Sequence, residues 1–219
     1  MSISRAAASV VLLTGLSLLA APAQAQYYTQ STWITPFGGV YFGGSLSGTN
    51  SAIANSIDVG TSFTYGARLG HKFNSAIGLV FEYAHADPSV SVRGGTAAGD
   101  NFDLKTNIYE GTFNFYFGND PNTQGYIGIG GGADDFSATH TDSLGNSTNA
   151  GSTQFGGVFA LGGQKFFNEK WGATLDGRYR WVNVNGSDSV YCGYYGCYAY
   201  DTSWYGSGEI TLGITYKFK

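Results

Sequence analysis

Residues 206–219 read GSGEITLGITYKFK, and this stretch decides the fold. Every second residue gives Gly208, Ile210, Leu212, Ile214, Tyr216 and Phe218; between them stand Ser207, Glu209, Thr211, Gly213, Thr215 and Lys217. A β-strand sends alternate side chains to opposite faces. One face of this last strand therefore needs an apolar medium, and the other needs water or charge. That medium is either a core, as in a soluble sandwich or lipocalin-like barrel, or lipid.

Composition favours lipid. Charged residues make up 12% of the chain, against about 25% in a typical soluble domain. Aromatic residues reach 16% and glycine is 34 of 219. With so few charges, a soluble fold has too little to solvate its polar faces. After residue 25 no apolar run approaches the roughly 20 residues of a membrane helix. Apolarity spread over alternate residues of many strands agrees with the mean hydropathy of −0.10 and with membrane strands.

The first 25 residues, MSISRAAASVVLLTGLSLLAAPAQA, have Arg5, an apolar stretch over 10–21 and a small-x-small site at Ala23-Gln24-Ala25. This is the pattern of a cleaved secretory signal peptide, which leaves residues 26–219 as one barrel domain. The formal charge is −4 and Arg5 is the only charge in the leader. The mature chain is thus acidic and lacks the basic footprint that nucleic-acid binding requires.

Seven further segments alternate like the last. The clearest is 62–73, with Phe63, Tyr65, Ala67, Leu69, His71 and Phe73 on one line and Thr64, Gly66, Arg68, Gly70 and Lys72 on the other. Others fall at 33–46, 76–85, 103–117, 126–133, 153–167 and 171–183; the first has an unclear register because Pro36 cannot donate to a ladder, and the fifth is short and glycine-rich. Connections at 74–75, 118–125 and 168–170 are short. Those at 47–61, 86–102, 134–152 and 184–202 are long and rich in turn-forming residues. An even strand count, with short turns at one end and long loops at the other, predicts an all-β, eight-stranded antiparallel transmembrane up-and-down β-barrel. Aromatics near both ends form the expected girdles.

Three stretches carry a family resemblance: FGGVYFGGSLSG at 37–48, GYIGIGGGA at 125–133, and the closing EITLGITYKFK. The chain resembles the small eight-stranded outer-membrane barrels, which include the transmembrane domain of outer-membrane protein A, the outer-membrane protein X group and the opacity-type surface proteins. The resemblance implies a bacterial outer-membrane location, surrounding outer-membrane lipid, and a terminal strand read by the outer-membrane assembly machinery, here through Tyr216 and Phe218. Lys219 after the aromatic departs from the family ending. One fold hosts many roles, so the resemblance is poor for function.

The inner lines collect Arg68, Lys72, Glu82, Glu110, Asp176, Arg178, Arg180, Glu209 and Lys217. The interior of an eight-stranded barrel is just wide enough for side chains to fill, and buried charges persist only when paired. Arg68, Glu82, Glu110, Asp176, Arg178, Arg180 and Glu209 are therefore expected to interleave as a plug. The alternative is a charged constriction in a narrow porin for small solutes.

Cys192 and Cys197, in the last long loop as CGYYGC, are expected to pair in an oxidising compartment. Two cysteines alone fall short of the four ligands of structural zinc, and no metal or other cofactor is expected. His140, Asp142 and Ser143 stand together in a loop, and His85 precedes Asp87. Neither group has the spacing of a catalytic set held on rigid elements, so a lipid-modifying enzyme ranks third. The leading expectation is a non-enzymatic barrel that supports membrane integrity and meets a host or cell-surface ligand through its four long loops.

Overall fold

Lipid offers no partner to a backbone N–H or C=O, so a sheet that crosses a bilayer has to close. The structure of this chain is a computed structural model that describes residues 30–47, 56–93, 101–120, 122–141, 147–184, 191–193, 196–198 and 203–218. The leader expected over 1–25 lies outside them. Eight antiparallel strands form the barrel: β1 (Ser31–Phe42), β2 (Thr61–Lys72), β3 (Ile77–Ala86), β4 (Asn101–Asp120), β5 (Thr123–Thr141), β6 (Ser147–Phe166), β7 (Trp171–Val184) and β8 (Ser203–Lys217). Each pairs with its neighbours in sequence, and β8 returns to β1, from Trp33 opposite Lys217 to Phe42 opposite Gly208. The sheet therefore closes without an edge inside the membrane band.

The alternation in sequence becomes an inside and an outside. On β8, Leu212 is 63% exposed and its neighbour Thr211 1%. Leu69, Phe81, Phe113, Ile129, Leu161, Leu175, Ile210 and Ile214 also point outward. Together they make an apolar belt around the barrel, with exposed aromatics such as Phe167 and Trp171 near the short turns and Phe63, Phe155 and Trp204 near the other end.

The short turns have a shared device. Asn74 Oδ1 accepts from the N–H of Ala76 and of Ile77, and Asn168 Oδ1 accepts from the N–H of Lys170 and of Trp171. Each asparagine side chain thus satisfies two turn amides. In the β4–β5 turn Gly118 adopts φ +130°, which only glycine takes without strain.

The long connections differ from the expected irregular loops. Ser45–Ser47, Ser56–Val59 and Ser89–Arg93 are strands that pair in that order against the upper part of β4. The fifth strand, expected to be short, runs 19 residues, and its partners β4 and β6 run 20 each. A bilayer needs only about 9–11, so these strands rise well beyond the membrane. Ile57, Val90, Val92, Leu104 and Phe136 are buried in the extension. The connection expected over 134–152 shrinks to the residues between Thr141 and Ser147.

One seam is imperfect. Pairing of β1 with β8 skips Thr35 and Pro36. The Phe218 N–H donates to the Thr32 carbonyl, so alternate residues from Thr32 through Pro36 face β8. Pro36 brings no N–H to that ladder. On the lumen side, Thr215 Oγ1 bridges the gap, 2.9 Å from Thr35 Oγ1 and 2.6 Å from Thr174 Oγ1.

Candidate functional site

Strands β2, β3, β4, β7 and β8 each send at least one inward charge to the same level of the lumen. Arg68 Nε bonds Glu82 Oε2, and its Nη2 lies 3.1 Å from both Asp176 Oδ1 and Glu209 Oε1 and donates to Thr211 Oγ1 at 2.9 Å. Arg178 Nε is 2.9 Å from Asp176 Oδ1 and 3.1 Å from Glu82 Oε2, and its Nη1 is 3.0 Å from Glu110 Oε2. Arg180 Nε bonds Glu110 Oε1, while its Nη2 lies 2.9 Å from Glu82 Oε1 and 3.2 Å from Glu209 Oε1. All seven side chains are buried. Every arginine touches at least two carboxylates, so the network is one unit rather than a set of pairs.

Backbone geometry provides its seats. Gly132 stands opposite Glu110, and a Cβ there would come within 2.9 Å of Glu110 Cγ. Gly132 thus leaves room for the Glu110 side chain. Arg68 also lies over the Phe37 ring, 4.0 Å from its centroid. The oxygens of Glu82, Asp176 and Glu209 lie within 4.8 Å of one another, a spacing that would suit a metal ion. Guanidinium nitrogens reach all three carboxylates, so the cations of this cluster are arginines.

Both ends of the network are capped. Toward the loops, Tyr41 and Tyr205 share a hydroxyl hydrogen bond of 3.0 Å, and Phe136 packs edge-on against Tyr205. Toward the short turns, Trp33, Val80, Tyr116 and Tyr126 form a buried cluster, and the Tyr126 hydroxyl donates to Asp176. A cavity of about 10 Å³ between this cluster and the arginines, lined in part by Thr35, Asn114, Gln164 and Thr174, has room for about one water molecule.

The seven residues expected to interleave therefore do so. Lys72 and Lys217, from the same inner lines, do not join them and stand at the short-turn mouth. Sequence reasoning did not find the hydroxyl and aromatic groups around the network, Tyr41, Tyr126, Tyr205 and Thr211. Their inward parity was the available signal. Tyr216 and Phe218 pack edge-on at the barrel rim, with Trp171 against Tyr216. Cys192 and Cys197 stand opposite each other in a two-stranded hairpin, Tyr191–Gly193 with Gly196–Tyr198, and their side chains lie outside the described residues. So do the side chain of His140 and the whole of Asp142 and Ser143. His85 Nε2 lies 3.2 Å from Asp87 Oδ1 and Nδ1 lies 2.9 Å from Asn107 Oδ1, on the outer face. Among the described residues no serine or cysteine bonds to His85.

No family model and no curated protein matches the sequence. Solved structures do match. Neisserial surface protein A is 14% identical, with a TM-score of 0.58, over 87% of this chain and 99% of that one. The outer membrane protein OprG from Pseudomonas aeruginosa is 15% identical, with a TM-score of 0.57, over 88% and 97%. The fold is that of the small eight-stranded outer-membrane barrels. The outer membrane protein AlkL, solved in DMPC lipid bilayers, is 18% identical with a TM-score of 0.51 over 91% and 95%. With its apolar belt and closed sheet, a barrel of this fold resides in the bacterial outer membrane, where such barrels set short turns toward the periplasm and long connections outside.

Proposed function

We propose that this outer-membrane barrel is a non-enzymatic, closed-lumen protein that contributes to membrane integrity and presents an extracellular surface to a host or cell-surface ligand. The observation that carries the reading is the lumen network. Seven buried charged side chains from five strands fill one level of the lumen, and aromatic caps lie above and below it. Work at the surface then falls to the strand extension, a sheet of Ser45–Ser47, Ser56–Val59, Ser89–Arg93 and the upper β4–β6 that carries buried apolar side chains. The hairpin that aligns Cys192 with Cys197 adds a tyrosine-rich tip, braced in this reading by a disulfide. Tyr216 and Phe218 end the strand that the assembly machinery reads.

Swelling of liposomes that contain the refolded barrel tests this function. The expected outcome is no swelling with small sugars or amino acids above protein-free liposomes, and no release of fatty acid from the liposome lipids. Swelling would favour a narrow porin; fatty-acid release would favour the lipid-modifying enzyme.

A further inference from the structure

Lys72 and Lys217 are the inward cations that the network leaves out. Both point into the periplasmic mouth of the lumen, on the two strands that flank β1: Ser31 pairs with Lys72, and Trp33 with Lys217. Each ammonium rests on an aromatic ring, Lys72 3.8 Å from the Tyr116 centroid and Lys217 4.5 Å from that of Phe166. Lys72 also donates to Gln124 Oε1, from the far wall. Lys72 is 8% exposed.

What these lysines lack is a counter-charge. Among the described residues no carboxylate forms a salt bridge with either. The acidic residues described at this end, Asp120 at the tip of β4 and Glu169 in the β6–β7 turn, are exposed. Lys165 and Lys170 add further positive charge on the β6–β7 side, and Lys170 gives its backbone carbonyl to the Lys217 N–H at 2.7 Å. Two like charges held together in a partly dry mouth repel each other and forgo hydration. Aromatic faces offset part of this, and an anion between them would offset the rest. Exposed Phe167, Trp171 and Phe218 surround this end, and aromatic girdles of this kind mark the level of the lipid head groups.

We propose that the periplasmic mouth is an anion site for a phosphate group, held by the Lys72 and Lys217 ammoniums with the Gln124 amide beside them. A phosphate oxygen accepts from several ammonium hydrogens at once, and the Gln124 NH2 is a further donor. The phosphate belongs either to a net-anionic phospholipid head group or to a free phosphate ion.

Solution NMR of the labelled barrel in an uncharged maltoside micelle separates these sources. Sodium phosphate is titrated against sodium chloride at equal ionic strength, and short-chain phosphatidylglycerol against phosphatidylcholine. The expected result is a saturable shift of the Lys72, Gln124 and Lys217 signals. Saturation by phosphatidylglycerol alone assigns the site to a lipid head group, by phosphate alone to the free ion, and by both to the shared chemistry. Lys217→Gln, at a half-buried rim position, should weaken the response at least tenfold, while exposed Lys165→Gln should leave it within twofold; heat-dependent gel mobility confirms that each variant folds. The proposal is overturned if neither phosphate source saturates beyond its control, or if Lys217→Gln binds as tightly as the unmodified barrel.

Discussion

Arg178 Nη1 lies 3.0 Å from Glu110 Oε2 and so ties β7 to β4 across the lumen. Glu110 also accepts from Arg180 through both carboxylate oxygens. One carboxylate on β4 therefore accepts from two arginines of β7, and its loss leaves both short of an acceptor in a buried site.

Glu110→Ala should lower the stability of the barrel by about 3–5 kcal/mol, the cost of breaking a buried pair from one side. The measurement is the urea midpoint of folding into lipid vesicles, with Glu110→Gln as an isosteric companion expected to fall between. A loss near the ~0–1 kcal/mol of exposed pairs would mean that bulk water reaches these charges.

The belt makes a second prediction. Leu212→Arg places a guanidinium on the lipid face and should cost about 2–4 kcal/mol near the midplane, read as loss of refolding yield. Thr211, one residue away, accepts a hydrogen bond from Arg68, so a lysine there would crowd a like charge. Thr211→Val, close in shape, is the sound comparison and should cost less than Leu212→Arg. Equal losses for Thr211→Val and Leu212→Arg would contradict the register.

The cysteines are expected to form one intramolecular Cys192–Cys197 bridge, since the backbone already places them opposite each other. Mass spectrometry of the non-reduced loop peptide checks this, and alkylation of both thiols without reduction would exclude the bridge. Cys192→Ser with Cys197→Ser should leave the barrel folded, because the hairpin lies beyond the membrane band.

Pro36→Val restores an N–H at the one place where the β1–β8 ladder is interrupted. In lipid an unpaired backbone group is costly, so the substitution should raise stability, by about 1 kcal/mol after the lost stiffening of the unfolded chain is set against the new bond. A higher urea midpoint is the expected result. A lower one would show that the fixed φ of proline matters more than the missing bond.

Much of the barrel is legible in the amino-acid sequence. Strict alternation in 62–73 and 208–218 forces strand, face and register together, because a shift by one residue would put Arg68 and Glu209 into lipid. That the seven lumen charges face inward follows from parity alone. The extracellular strands are hidden because Ser45–Ser47, Ser56–Val59 and Ser89–Arg93 are short and lie among the turn-forming residues that signal loops. The part of β5 beyond Ala133 is hidden for a related reason: Asp134 and Asp135 resemble a loop start, while Phe136 and Ala138 show their inward parity only beside the partner strands. The separation of Lys72 and Lys217 from the arginines is equally hidden, because parity gives a face and not a height along the barrel.

The central claim is that buried ion pairs close the lumen, and conductance across a planar lipid bilayer tests it most directly. The refolded, unmodified barrel in symmetric salt should give no discrete channel steps at any applied potential at which the bilayer itself is stable. Stable, ion-selective steps from the unmodified protein would contradict the account, because they require an aqueous path past Arg68, Arg178 and Arg180 and the four carboxylates that hold them.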